Sequence, residues 1–138
     1  MKVLLFALVA VALAVRDIKH LNGRDILDRL ESEDDSVKVV MFTFGDRVKS
    51  NEKLVAKNQE VEDELMDLLE RYPNFEYARV DASNDDYSDL IEAAKLNVSQ
   101  LAESPSILLV REQDGVWIHG GQLMEKVAEY ASEYAQRG

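Results

Sequence analysis

The chain has 138 residues, a formal net charge of −11, a hydrophobic fraction of 46% and no cysteine. This length fits one domain with a hydrophobic core, and the composition excludes a disordered chain. An acidic chain without a basic cluster is unsuited to nucleic acid or to anionic membrane surfaces. The lack of cysteine excludes disulfides, thiolate nucleophiles and cysteine metal sites, so we expect neither a metal nor a cofactor.

The N-terminus has the pattern of a secretory signal peptide. Met1 and Lys2 are followed by thirteen apolar residues that end at Val15. This run is shorter than the roughly 20 residues that span a bilayer, and Ala12-Leu13-Ala14 fits the small-x-small cleavage rule. We predict a signal peptide over residues 1–14 and one domain over residues 15–138. In the alternative the segment is retained as an anchor, and only then does the protein contact a membrane.

Hydrophobic periodicity predicts an alternation of strands and helices along the rest of the chain. Val37 to Phe44 is the clearest strand, and its nearly continuous apolar character is typical of a central strand covered on both faces. The longest helix extends from about Ser50 to Tyr72 and is stopped by Pro73. The predicted order is strand 17–21, helix 23–31, strand 37–44, helix 50–72, strand 75–80, helix 87–96, strand 107–110, a turn at Asp114-Gly115, strand 116–119 and helix 122–136.

One proline stands at a position that is informative about the fold. Pro105 lies one serine before the apolar run Ile107 to Val110. Proline cannot donate to a sheet ladder and therefore belongs at the beginning of a strand or on an edge. Its peptide bond is also the only kind in which the cis form lies within about 0.5–1 kcal/mol of the trans form.

This order of elements, with Pro105 before the third core strand, resembles the thioredoxin fold. That is an α/β fold with a central mixed sheet and helices on both faces. The predicted signal peptide, the strand end Val80-Asp81-Ala82 and Gly120-Gly121 after the hairpin are similar to the protein disulfide isomerase family. The resemblance covers residues 16–137 and implies a cis bond between Ser104 and Pro105.

The chain differs from that family at the positions of the family's active-site residues. Active members carry the pattern aromatic-x-Ala-Pro-Trp-Cys-x-x-Cys after the first core strand. Here Arg47 and Ser50 stand at the two cysteine positions, Asp46 at the tryptophan position and Met41 at the position of a buried acid. Since thiol–disulfide exchange requires a thiolate, we predict no catalytic residue and no enzyme. The chain looks most like the redox-inactive member of the endoplasmic reticulum that acts as a chaperone and escort.

Two turns are expected to meet at one end of the sheet, where the family's active members hold their substrate. The resemblance implies a protein-binding site for an extended peptide there, and the basic side chains favour an acidic or polar ligand. In the alternative, the first turn is a polar loop with a helix cap and the proline only shapes the second. The predicted site residues are Asp46, Arg47, Lys49 and Ser50 in the first turn and Ser104 and Pro105 in the second.

Two further features bear on modification and assembly. Asn97-Val98-Ser99 is an N-glycosylation sequon in a predicted loop, and it is meaningful only in a secreted chain. Trp117, Tyr130 and Tyr134 are expected in the core or at its edge. As an alternative, aromatic residues on the last helix form a partner or homodimer interface.

Together these patterns predict a non-enzymatic, redox-inactive, thioredoxin-like protein of the secretory pathway. We expect it in the lumen of the endoplasmic reticulum or secreted, as a chaperone, escort or protein-binding module. The alternative is a structural accessory subunit of a membrane-associated assembly, with the N-terminal segment retained.

Overall fold

The chain folds into one mixed sheet with helices on both faces, as the order of predicted elements indicated. The structure is a computed structural model and describes residues 15–45 and 51–136. The predicted signal peptide at 1–14 lies outside the described residues. The strands are β1 (Arg16–Asp17), β2 (Val37–Thr43), β3 (Phe75–Asp81), β4 (Ser106–Arg111) and β5 (Asp114–Ile118). The helices are α1 (Gly23–Leu30), α2 (Glu52–Leu69), α3 (Ser88–Ala94) and α4 (Leu123–Gln136).

The strands are arranged in the order β1-β3-β2-β4-β5. β1, β3 and β2 are parallel, whereas β4 and β5 form an antiparallel hairpin beside β2. The register pairs Val37 with Phe75 on one side of β2 and Phe42 with Ser106 on the other. This register places the end of β2 directly beside the beginning of β4.

Two hydrophobic cores lie on the two faces of the sheet. Val39 and Met41 face α2 and α4, where they pack with residues such as Leu65 and Val127. The alternate residues of β2 belong to a second core with α1 and α3. All seven residues of β2 are buried, which confirms the prediction of a central strand covered on both faces.

The hairpin turn was predicted at the wrong position. Asp114 and Gly115 belong to β5 and pair with Arg111 and Val110. The turn consists of Glu112 and Gln113, both with positive φ, at 52° and 69°. These values match the two-residue turn that suits the twist of a hairpin. A Cβ at position 115 would lie 3.1 Å from Cγ2 of Val110, so glycine is needed there for close packing and not for the turn.

Several element ends also differ from the sequence-based expectation. The predicted first strand has only two residues, although the N–H of Ile18 still donates to the Tyr77 carbonyl at 2.8 Å. α2 begins at Glu52, because the side chain of Asn51 accepts the Leu54 N–H at 3.1 Å and caps the helix. The predicted loop at 97–104 contains a 3₁₀ turn, Val98–Ala102, and another such turn, Asp85–Tyr87, precedes α3.

Candidate functional site

The candidate site lies where β2 ends and β4 begins. Because Phe42 pairs with Ser106, the residues after β2 are neighbours of Pro105. The structure therefore brings the end of β2 beside Pro105. The predicted site residues Asp46, Arg47, Lys49 and Ser50 lie outside the described residues.

A carboxylate from β3 anchors the chain as it leaves β2. Oδ1 of Asp81 accepts the N–H of Gly45 at 3.0 Å, and it also accepts the N–H and the hydroxyl of Ser83. The N–H of Ala82 donates to the Thr43 carbonyl at 2.7 Å. Gly45 has a φ of 71°, a conformation that glycine adopts without steric cost. The chain direction at this end of the sheet is thus set by Asp81 and Gly45.

An apolar cavity of about 240 Å³ opens beside this anchored segment. Phe44 and Val55, which both line the cavity, remain 41% and 38% exposed. The cavity lies between the end of β2, the first turns of α2 and the 3₁₀ turn before Pro105. Its lining residues are Phe44, Gly45, Asn51, Leu54, Val55, Asn58 and Ala102.

Ser104 and Pro105 occupy the positions that the sequence predicted, but the peptide bond between them is trans. None of the peptide bonds within 15–45 and 51–136 is cis, so the expectation of a cis bond is wrong. Pro105 is buried and directly precedes β4, where its missing N–H costs no ladder hydrogen bond. Ser104 is half-buried and lines a second cavity of about 300 Å³ together with Lys57, Gly120 and Gly121.

A serine–histidine pair follows the proline. Oγ of Ser106 is hydrogen-bonded to Nδ1 of His119 at 2.9 Å, across the end of the hairpin. Ser106 is only 1% exposed and therefore has no access to a substrate. The pair joins the beginning of β4 to the residue after β5, and its geometry is that of a positioning contact rather than of an exposed nucleophile.

The position at which the resemblance implies a buried acid is apolar. Met41 is fully buried, and its sulfur lies 3.6 Å from the hydroxyl oxygen of Tyr77. That hydroxyl donates to Glu62 at 2.7 Å, and Glu62 is also 3.1 Å from Arg79. Burial, together with the hydrogen bond to Glu62, raises the pKa of Tyr77 above its ordinary value. Nothing at position 41 exchanges protons, and Tyr77 stays protonated at neutral pH.

The opposite end of the sheet carries a network of ion pairs. Lys38, in β2, is fully buried, and its Nζ lies 2.5 Å from Asp34 Oδ1. Glu76 accepts hydrogen bonds from the guanidinium of Arg29 and, at 2.7 Å, from the hydroxyl of Ser36. Hydrogen bonds from Lys38 and Ser36 hold the pKa of Asp34 well below its usual range. Burial opposes the ionisation of Glu76, but its bonds to Arg29 and Ser36 prevail and lower its pKa.

The sequon is placed on the surface. Asn97 is exposed, and its Oδ1 accepts the N–H of Ser99 at 3.2 Å and the hydroxyl of Ser99 at 2.6 Å. These contacts use only the amide oxygen, so the amide nitrogen, to which a glycan would be attached, is not engaged by the sequon serine. Glycosylation of Asn97 stays a prediction.

Neither a metal site nor a membrane-spanning helix is found in the part of the chain that the structure describes. No group of three or more metal-ligating side chains occurs among those residues. None of the described helices combines the length and apolar character that are needed to cross a bilayer.

Sequence reasoning missed the apolar residues of the site. Phe44 was assigned to the strand, Val55 to the helix and Ala102 to a loop, without the prediction that they share a cavity. Trp117 was expected in the core or at its edge, and its 37% exposed ring packs against Phe42 at the edge; Tyr134 is buried. One signal for the exposure of Phe44 was available in the sequence, because Phe44 directly precedes a glycine that ends the predicted strand.

Comparisons with known proteins identify the fold. The structure is similar to thioredoxin F from spinach chloroplast, with a TM-score of 0.62 at 15% identity, covering 91% of this chain and 89% of that one. Thioredoxin O2 from Arabidopsis thaliana has a TM-score of 0.61 at 13% identity, covering 86% of this chain and 94% of that one. The fold is thioredoxin-like. The germline-specific thioredoxin Deadhead from Drosophila melanogaster also matches, with a TM-score of 0.56 at 18% identity, covering 87% of this chain and 96% of that one.

Sequence comparison adds no closer relationship. No protein-family model matches the chain, and no curated protein sequence is significantly similar to it. At the identities found, similarity to solved thioredoxins shows the thioredoxin-like fold alone. The finer assignment to the protein disulfide isomerase family therefore belongs to the proposal below.

Proposed function

We propose that this chain is a redox-inactive, protein-binding member of the thioredoxin-like fold, related to the protein disulfide isomerase family. It acts as a chaperone or escort in the secretory pathway. The observation that carries the proposal is the apolar cavity between Phe44, Val55 and Ala102, at the end of the sheet where the resembled family holds its substrate. The chain contains no thiol, so binding without exchange chemistry is the activity that this surface supports.

The cavity suits one apolar side chain of an extended peptide. Its mouth is formed by Phe44 and Val55, whose exposed apolar surface would be covered on binding. Ser104 lines the second cavity, which would take a further part of the same peptide. Arg47 and Lys49 stand two and four positions after Gly45 in the sequence, and their positive charge favours a ligand with an acidic or polar stretch.

The binding proposal is tested by reversing charge at two places. Arg47→Glu should weaken capture of the native partner about tenfold and leave the thermal midpoint nearly unchanged. Asp67→Lys, an exposed change on the acidic face of α2 that lines neither cavity, is the control and should retain the partner. If Asp67→Lys loses the partner and Arg47→Glu does not, the working surface is the acidic face of α2, and the accessory-subunit alternative is favoured.

The absence of exchange chemistry and the compartment are tested separately. Cysteine-free protein should show no turnover above buffer in an insulin-reduction assay. Intact mass and N-terminal sequencing of the native protein should give a mature start near Val15 and a mass that falls when an N-glycosidase removes a glycan from Asn97. An intact Met1 without a glycan would contradict the secretory part of the proposal and leave the binding part standing.

A further inference from the structure

The strand β5 leaves an open edge on the sheet. Its outer side is not paired with any residue within 15–45 or 51–136. The other outer strand, β1, has two residues, and such shortness is one of the ways in which proteins prevent strand addition. β5 has five residues, carries a charge only at Asp114 and contains no proline. Nothing in the strand's own sequence therefore blocks the addition of another strand.

The backbone positions that face outward follow from the hairpin register. Arg111 and Asp114 flank the two-residue turn and form a hydrogen-bonded pair, and bonded and non-bonded pairs alternate from there. Val116 therefore bonds inward to β4, whereas Gly115 and Trp117 direct their N–H and C=O groups away from the sheet. A strand added to this edge would form its hydrogen bonds at positions 115 and 117.

Trp117 adds an apolar contact on one face of this edge. Its ring centroid lies 5.2 Å from that of Phe42, and its Nε1 donates to the Ala94 carbonyl at 3.2 Å. These contacts hold an aromatic ring that is still 37% exposed. The ring borders a groove of about 450 Å³ between the hairpin and the helices α1 and α3, with the apolar lining residues Leu27, Leu30, Ala93, Ala94, Leu108 and Val110.

Acidic residues gather at the turn end of the same edge. Glu31 lines the groove, Glu112 lies in the turn and Asp114 begins the strand. The side chain of Gln113 donates to the Glu31 carbonyl at 2.9 Å, which holds the turn against the end of α1. The contact of Glu31 with Arg24, at 3.5 Å, is an exposed ion pair and neutralises little of this charge. The electrostatic complement of this end is a basic segment.

We infer that the β5 edge binds an extended segment of another protein by strand addition. That segment carries basic residues toward the Glu112 turn and an apolar side chain against Trp117. The inference goes beyond the proposed function, because the turn lies at the opposite end of β4 from Pro105. Loss of binding at one surface therefore leaves the other intact, and the two proposals succeed or fail separately.

The single tryptophan of the chain makes this edge directly observable. Trp117 emission reports on β5 alone, since no other tryptophan is present. The probe is a synthetic peptide with blocked ends and alternating lysine and valine. We expect it to shift the emission to the blue and to slow amide exchange at Gly115 and Trp117. Raised salt should weaken the binding, because the charges involved are exposed.

Two altered peptides separate strand addition from simple charge attraction. A peptide with glutamate in place of every lysine should bind at least about tenfold more weakly. A peptide that keeps the lysines but has proline at alternate positions cannot form the ladder and should also lose the exchange protection. If the proline peptide binds as well as the original one, the surface attracts charge only and the inference is overturned.

A matched pair of variants tests the charged end. Glu112→Lys should lower the affinity for the basic peptide by about threefold to tenfold. Glu129→Lys, on the exposed side of α4, should leave that affinity unchanged. Equal effects of the two variants would contradict a local site. The absence of any emission shift with the basic peptide would overturn the inference. An emission shift that appears without peptide when the protein concentration is raised would also overturn the inference, because it would show that a second copy of the chain binds this edge.

Discussion

The two ends of the central strand β2 are built in opposite ways. At its beginning, Lys38 is fully buried within a network of ion pairs, and each charged group there has a partner of opposite sign. At its end, Phe44 is 41% exposed and lines an apolar cavity. Removing one partner of a buried ion pair is strongly destabilising, whereas an exposed apolar surface contributes little until something covers it. We therefore expect substitutions at the first end to lower stability, and we propose the second end as the binding surface.

The largest effect is expected from breaking the ion network. Glu76→Ala removes one acceptor of Arg29 and of the Ser36 hydroxyl, which then keep only Asp34 as an acidic partner. We expect the free energy of unfolding to fall by about 2 kcal/mol, because hydrogen bonds to a charged group contribute about 1.5–3 kcal/mol. Denaturant titration measures this loss. Glu64→Ala, an exposed acid on α2, is the control and should cost less than about 0.5 kcal/mol. Equal losses would contradict a structural role of this end.

The same network predicts how stability depends on pH. The pKa values of Asp34 and Glu76 are lower in the folded protein than in the unfolded chain. Their contribution is therefore complete above the unfolded values, near 4, and is lost as the pH falls through the folded values. The unfolding free energy of the native chain should drop more steeply below about pH 4 than that of Glu76→Ala. Parallel curves of unfolding free energy against pH for the two proteins would show that Glu76 does not contribute to the pH dependence of stability.

A smaller effect is expected at the Pro105 end of the sheet, where two neighbouring glycines differ. Gly120 has a φ of 92°, so Gly120→Ala forces an alanine into a conformation that costs roughly 1 kcal/mol. At Gly121 a Cβ would meet no atom within 4 Å, and Gly121→Ala should be nearly neutral in thermal unfolding. A neutral Gly120→Ala would indicate that this segment, which borders the cavity with Ser104, adjusts freely.

The sequence predicted the fold well because its strongest signals are long and periodic. The continuous apolar run of β2 and the stripe of α2 both correspond to buried faces in the structure. The Asp114-Gly115 signal failed for a local reason. Asp-Gly usually marks a turn, but here the glycine is needed for close packing against Val110, and the turn consists of two residues with weak turn preference.

The candidate site was only partly predictable. The place of Pro105 directly before β4 was predictable because proline before an apolar run is itself a signal, although the peptide bond is trans. The cavity of Phe44, Val55 and Ala102 depends on three segments that are distant in sequence, and no local pattern links them. The burial of Lys38 has no local signal in the sequence, since it depends on hydrogen bonds from its Nζ to Asp34 and to the Ser36 carbonyl.

The most direct test of the central claim is a residue-resolved binding map with a thiol-blocked, unfolded protein as the ligand. Amide signals are recorded by NMR while this ligand is added to the cysteine-free chain. We predict that the signals of Phe44, Gly45, Ser104 and Gly120 shift and that those of Lys38 and of the rest of the ion network do not. Shifts confined to the ion network, or no shifts at saturating ligand, would contradict the assignment of binding to the Pro105 end of the sheet.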